Sequence, residues 1–271
     1  MSSITLGSDP EVFLKRGDKF ISSIGLVGGT KAKPKKFGRG YNMHEDNVSV
    51  EFNVPPVTSE ARWLEVHAYA LERVGQLAKK HDCEVAIVSD AEFEPDQLDN
   101  DEARSFGCNP DFDAWNICPN PSPNGATTNL RTAGGHIHIG TDLKLVEKVE
   151  LIRVLDIFLG IPLNMLEPES KRQKLYGKLG ACRIKPYGVE YRVPSNFWLR
   201  TPELQAGVFN VVMQLTKERS YYWQILRKME NLIETVANNG SVPSEYFSEL
   251  MKNIPYPSEA VYAQAASRMG Q

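Results

Sequence analysis

Four short segments place two polar, chemistry-bearing side chains at positions i and i+2, with apolar or small residues between and beside them. They are Asp9 with Glu11, Glu51 with Asn53, His136 with His138, and Glu190 with Arg192. In an extended strand that spacing puts both side chains on one face. For the last pair, Val189, Tyr191 and Val193 then turn toward helices while Glu190 and Arg192 face the other way. A sheet face that gathers carboxylates, two histidines and an arginine is costly to bury unless something bridges them. One such pair is ordinary surface alternation; four in one chain point to a site.

The surrounding pattern is that of an α+β fold. Short alternating strands are predicted at Ile4–Leu6, Glu11–Lys15, Lys19–Ser23 and Asn47–Val54, with Pro55-Pro56 closing the last. Thr58 or Ser59 caps a helix to about Lys80, with Leu64, Ala68, Leu71, Val74 and Ala78 as its apolar stripe. A strand is expected at Cys83–Ser89, then a long Pro-, Asn- and Asp-rich loop from Asp96 to Asn129, a length more often functional than decorative. Phe106, Phe112 and Trp115 make it a candidate specificity element, or anchor it to the core. One strand is predicted over Arg131–Gly140. A helix follows over Leu143–Gly160, carrying Leu145, Val149, Ile152, Leu155 and Leu159 and ended by Pro162. A charged helical stretch then leads to Gly180, a strand covers Gly188–Val193, and one long helix runs from Thr201-Pro202 to about Val236. Strict β-α-β alternation is absent, so the sheet is expected to be mainly antiparallel. Residues 1–240 read as one catalytic domain, with 241–271 a helical tail packed on it.

Composition removes several classes. With 31 basic and 34 acidic residues the formal charge is −3, so no global positive field favours nucleic acid. The start, Met1-Ser2-Ser3-Ile4-Thr5, lacks the basic and apolar regions of a signal peptide, and no segment reaches the ~18 apolar residues of a membrane span; a cytoplasmic protein is expected. Cys83, Cys108, Cys118 and Cys182 form no Cys-x-x-Cys pair, which favours buried reduced thiols over a zinc knuckle or disulfides.

The sharpest motif is Gly134-Gly135-His136-Ile137-His138-Ile139-Gly140, where glycines admit close backbone approach and two imidazoles project together. His67 and His81, on the first helix, read as solvent-facing or structural. Carboxylates outnumber imidazoles, and hard oxygen donors suit Mg²⁺ or Mn²⁺ sharing its shell with nucleotide phosphates. Lys31, Lys33, Lys35, Lys36 and Arg39 are available to meet phosphates, a solvated basic loop being the alternative. No P-loop or dinucleotide-binding glycine loop is present.

In these motifs the chain resembles the phage-encoded carboxylate-amine ligases, the COOH-NH2 ligase or amidoligase type 2 group related to glutamine synthetase and glutamate–cysteine ligase. The resemblance runs from Asp9 to about Leu199. It rests on Gly7–Glu11, His44-Glu45-Asp46 into Glu51-Phe52-Asn53, Phe106–Phe112, Arg131–Gly140, Leu175-Tyr176-Gly177 and Lys185–Arg192. It implies a curved, mainly antiparallel sheet with helices on its convex face, like the glutamine synthetase catalytic domain. The concave face would bind ATP, Mg²⁺ (or Mn²⁺) and a carboxylate. The resemblance further implies that Asp9, Glu11, Glu51, His136 and Glu190 ligate metal, with Glu45 or Asp46 as further candidates. Arg192 would contact the transferred phosphoryl group, His138 and Arg131 phosphate or substrate carboxylate, and Arg172 and Arg183 phosphate. Glutamine synthetase has an arginine where this chain has Gly188, so ammonia or glutamate specificity does not carry over. The implied reaction activates a carboxylate as an acyl phosphate and joins it to an amine of an amino acid, peptide or protein side chain. Three rivals remain open at this level: a zinc hydrolase using His136 and His138, a guanidino phosphotransferase, and a non-catalytic binding protein.

Overall fold

Alternating apolar residues draw the strands into one sheet, and its longest strand is the hub. The computed structural model describes residues 3–104, 111–121, 128–167, 169–172, 175–229 and 232–239. The Phe106–Pro110 part of the loop motif, Cys108 and the 241–271 tail lie outside them. Six strands come first: β1 (Thr5–Ser8), β2 (Glu11–Arg16), β3 (Lys19–Ile21), β4 (Lys35–Gly38), β5 (Tyr41–Asp46) and β6 (Ser49–Val57). The first half of β6 pairs with β2 and β5 and its second half with β1. Pro55 and Pro56 do not end it, contrary to expectation. The β1 partners are Val54 and Val57, so a bulge passes over two residues that have no N–H to donate.

Helix α1 (Glu60–Lys80) is capped by the Ser59 hydroxyl, which accepts from Arg62 N–H. Its buried face is Trp63, Val66, His67, Ala70, Val74, Leu77 and Ala78; Ala68, placed in the stripe by sequence, is exposed. Indole and imidazole belong to the core here because both are satisfied. Trp63 donates to Gln205 O and stacks on Trp198, and His67 lies between Trp63 O and the Ser8 hydroxyl, each 2.8 Å away.

The chain continues through β7 (Glu84–Ala86), β8 (Asp90–Glu92), a 3₁₀ turn, α2 (Asp101–Arg104), β9 (Phe112–Asp113), β10 (Cys118–Pro119), β11 (Leu130–Thr132) and β12 (Ile137–Gly140). The single strand expected over Arg131–Gly140 is therefore two. β11 pairs with β8 in a small separate sheet, whereas β12 enters the main one. The switch occurs at Gly134-Gly135, where a Cβ on Gly135 would lie 2.3 Å from Ser195 O and 2.4 Å from Trp198 Nε1. Alternation continues through the glycines, so it does not report the change of partner.

Helix α3 (Leu145–Leu155) passes without interruption into a π turn (Asp156–Gly160) and α4 (Ile161–Leu166). Pro162 does not terminate this run. The ladder has already shifted, with Ile161 N–H bonded to Asp156 O, so the ring meets a widened turn. Leu145 is exposed; Leu151, Ile152, Val154 and Leu155 carry the packing. The described residues between Glu167 and Gly180 are largely turns rather than a helix. They lead into β13 (Ala181–Lys185), a strand the sequence reading did not place, and β14 (Gly188–Tyr191). The long final helix is three: α5 (Pro202–Lys217), α6 (Arg219–Lys228) and α7 (Leu232–Asn239). Arg219 turns inward at the first break to pair with Glu147 and Glu150 of α3, a tertiary demand no local propensity reveals.

The main path of the large sheet runs β10-β9-β13-β14-β12-β1-β6-β2-β3, with β5 and β4 branching from β6 and β7 added to β2. Every pairing among these strands is antiparallel. Helices α1, α3 and α5 pack on one side. Tyr191 points that way, its hydroxyl donating to Asp156 of the π turn, while Glu190 and Arg192 turn to the other side, as the alternation requires. Cys83 and Cys182 are buried free thiols, but Cys118 is exposed on the β9–β10 hairpin. No described helix is long and apolar enough to cross a membrane.

His67 supplies a pH test of this packing. Burial drives its pKa from 6.5 down to about 4. Between those values the unfolded chain binds a proton that the folded chain refuses, so this residue's contribution to stability is lost as pH falls through that window. Chemical denaturation of His67→Gln should show a flatter dependence than wild type between pH 6.5 and 4, the difference reaching about 3 kcal/mol. Parallel profiles would show that His67 does not stay neutral in the fold.

Candidate active site

Register across the strands builds two rows of polar groups. In the first, Gly7 of β1 faces His138 of β12, His138 faces Glu190 of β14, and Glu190 faces Arg183 of β13. Asp9, just past the end of β1, comes in beside His138. Its Oδ2 lies 3.1 Å from His138 Nε2, and its Oδ1 lies 3.4 Å from His136 Nδ1. In the second row Glu11 of β2 faces Glu51 of β6, which faces His44 of β5, with His44 Nε2 3.4 Å from Glu51 Oε1.

These rows yield two groups whose ligating atoms all lie within 4.8 Å of one another: Asp9, His138 and Glu190, and Glu11, Asp46 and Glu51. Four of the five metal ligands expected from sequence, Asp9, Glu11, Glu51 and Glu190, fall in these groups. His136 falls in neither. It sits between Asp9 and Arg192, whose Nη1 is 3.3 Å from His136 Nδ1. The imidazole of the first group is His138, and Asp46 completes the second group. The sequence motif His44-Glu45-Asp46 gave His44 no role of its own, although His44-x-Asp46 has the same i, i+2 spacing as the four segments singled out there.

Electrostatics separates the two groups. Glu190 is nearly inaccessible and answered by three cations: Lys185 Nζ at 2.9 Å, Arg183 Nη1 at 3.4 Å, and Arg192 in closer contact. Burial and Asp9 would raise its pKa, yet His136, Arg192 and Lys185 bring it down to about 2. Burial likewise opposes ionisation of Asp9, but His138 and His136 hold its carboxyl well below the usual range. Burial would lower His138, and Asp9 more than reverses this. Burial and Arg192 push His136 down to about 4, so it is neutral near pH 7. The second group has the opposite balance. Burial and Asp46 raise Glu11 to about 7, although Glu11 accepts the Gly134 N–H at 2.8 Å. Burial, Asp9 and Asp46 raise Glu51 well above 4.5.

A cavity of about 60 Å³ opens beside the second group, and none of Asp9, His138 and Glu190 of the first group lines it. Glu11, Asp46, His136, Arg172, Arg192 and Asp111 line it. Asp111 stands at the base of the β9–β10 hairpin. Its Oδ2 lies 3.2 Å from Arg192 Nε, while its Oδ1 accepts from Asn120. Trp115 from the same segment is buried and donates to Asp156, so that aromatic anchors the loop; Phe106 lies outside the described residues. Arg131 also lines the cavity, yet its guanidinium donates to Ala103 O, Thr128 O and Leu130 O and holds loop segments together. Arg172 donates to Val193 O and Arg192 O, and burial lowers its pKa to about 10. Arg183 is turned to Glu190.

Carboxylates, imidazoles and guanidinium groups converging on one sheet face are the donor set of a site for hard cations and anionic oxygens. Residues 125–242 match the family model described as Phage phiEco32-like COOH.NH2 ligase-type 2, in line with the resemblance read from the motifs. The segment contains His136, His138, Glu190 and Arg192, whereas Asp9, Glu11 and Glu51 precede it. Among solved structures, the chain is similar to one described as "GmaS/ADP complex-Conformation 1". The two are 11% identical, the alignment covers 98% of this chain and 71% of that one, and the TM-score is 0.36. Comparison with curated protein sequences finds no match.

Gly177 tests how tightly Arg172 is built in. Its φ is +68°, and a Cβ would lie 1.7 Å from Arg172 Nη1, whereas Gly17, at φ +57°, has open space around it. Gly17→Ala should cost only backbone strain, about 1 kcal/mol, and Gly177→Ala at least about twice that because the guanidinium must move. Thermal unfolding of the two variants measures the difference. Equal losses would mean that Arg172 is not confined.

Proposed function

We propose that this protein is an ATP-dependent carboxylate–amine ligase that forms an amide through an acyl phosphate. The observation that carries the reading is a pair of carboxylate-rich ligand groups linked by Arg192, which pairs with Glu190 of one and lines a cavity with Arg172 and with Glu11 and Asp46 of the other. The ligand groups contain five carboxylates, one imidazole and no thiolate, which suits Mg²⁺ or Mn²⁺ better than zinc.

On this reading Asp9, His138 and Glu190 would hold one ion and Glu11, Asp46 and Glu51 another. Bound there, such ions would neutralise triphosphate charge and reduce its repulsion of an anionic nucleophile. The chain's own part is orientation. Glu190 and Asp111 grip Arg192 from two sides, so its guanidinium is set before charge develops on the transferring phosphoryl group. The substrate carboxylate oxygen attacks the γ-phosphorus and ADP leaves. The amine nitrogen then attacks the acyl carbon, phosphate departs, and the amine gives up a proton. Neutral His136 beside Arg192 adds no positive charge that would compete for the phosphates.

ADP release should require Mg²⁺ or Mn²⁺ and both a carboxylate and an amine drawn from amino acids, peptides or protein side chains. With the carboxylate oxygens labelled with ¹⁸O, one label should appear in the released phosphate; label-free phosphate would exclude the acyl phosphate. Arg192→Lys retains charge but loses the planar fork, so turnover should drop about 100-fold or more with ATP affinity changed less than about five-fold. Single-turnover ADP release and ATP titration separate the two effects. Near-normal turnover would leave Arg192 a structural ion-pair partner of Glu190.

A further inference from the structure

Of the five cations between residues 31 and 39, only Lys31 forms an ion pair with a residue of the two ligand groups. Its Nζ lies 3.3 Å from Asp46 Oδ2, while Lys35 Nζ donates to Val27 O. The backbone before Lys31 is fastened to the strand that carries Asp46. Glu45 N–H donates to Gly29 O, Glu45 Oε1 accepts from Gly25 and Gly28 N–H, and Thr30 bridges to Glu45. Lys31 itself stands on an exposed turn, with 58% of its side chain accessible. A fastened base thus carries a long, exposed ammonium at the edge of the Glu11–Asp46–Glu51 group. Glu51, buried deeper in the same group, feels Lys31 as a favourable charge.

We propose that Lys31 is a substrate-binding residue that changes partner during loading: it pairs with Asp46 while the Glu11–Asp46–Glu51 group lacks a cation, and turns to the nucleotide phosphates once a divalent ion occupies that group. This rests on the reading of the site as a metal–nucleotide site. The chemistry follows from charge balance. A divalent ion on three carboxylates makes a second cation at Asp46 superfluous. Phosphate oxygens brought to the same ion then offer the ammonium a stronger, charge-assisted partner within reach of its four-carbon stem.

The proposal demands effects of opposite sign from one substitution. Lys31→Met removes a competitor for Asp46, so Mn²⁺ alone should bind about two- to five-fold more tightly, the range of an exposed ion pair. The same variant loses a phosphate contact, so ATP at saturating Mn²⁺ should bind about ten-fold more weakly. Isothermal titration of wild type, Lys31→Met, Lys31→Arg and Lys36→Met with Mn²⁺, and then with ATP, reads both. Lys31→Arg should retain most of the ATP affinity, and Lys36→Met should match wild type throughout. No change in Lys31→Met, changes of the same sign, or tighter metal binding with unaltered ATP affinity would overturn the proposal. Wild-type protein that binds neither Mn²⁺ nor Mn²⁺–ATP would overturn the metal–nucleotide reading itself, and the role of Lys31 with it.

Discussion

The structure depends on answering buried charge across strands. Glu190 is almost sealed from solvent, and an isolated carboxylate there would be prohibitively costly. It persists because β13 delivers Arg183 and Lys185 while Arg192 folds back from its own strand. The chain continues these partnerships outward, from Arg192 to Asp111 on the β9–β10 hairpin and from Asp9 to two imidazoles. The site is thereby a connected electrostatic unit, in which moving one group changes the environment of several others.

The opposite side of the sheet supplies the stiffness that such a network needs. Trp63 and Trp198 stack between α1 and the chain after β14, and the Trp198 indole donates to Gly135 O next to the paired histidines. His67 reaches through the same core to the Ser8 hydroxyl, one residue before Asp9. Near α3, Asp156 accepts from Trp115, Tyr191 and the Gly180 N–H, and burial still raises its pKa to about 7. Tyr191 lies between Glu190 and Arg192, so this buried carboxyl fixes the strand from behind. Packing on one face and charge pairing on the other hold the same few residues.

The two ligand groups have unequal internal balance, which bears on how an anionic substrate and cations can share the cavity. The Asp9–His138–Glu190 group already sits among guanidinium and ammonium groups and stays ionised. The Glu11–Asp46–Glu51 group has few cations nearby, and burial with mutual repulsion favours protons on Glu11 and Glu51.

Much of this was legible in the linear chain. The i, i+2 spacing of Asp9/Glu11, His136/His138 and Glu190/Arg192 determined that those pairs could share a sheet face, and their side-chain types determined which donors they offer, because strand alternation and donor type are local properties. Sequence also placed Tyr191 against the helices, since odd and even positions of a strand part to opposite sides. Tertiary structure decided the rest. It split Arg131–Gly140 between two sheets, broke the last helix where Arg219 meets Glu147 and Glu150, and put Asp111 beside Arg192, distant in sequence. It also grouped His138 with Asp9 and Glu190, set His136 between Asp9 and Arg192, and turned the Arg131 guanidinium to backbone carbonyls. Which partner a charged group finds depends on strand register and on the cost of leaving it buried alone, and both are properties of the assembled chain.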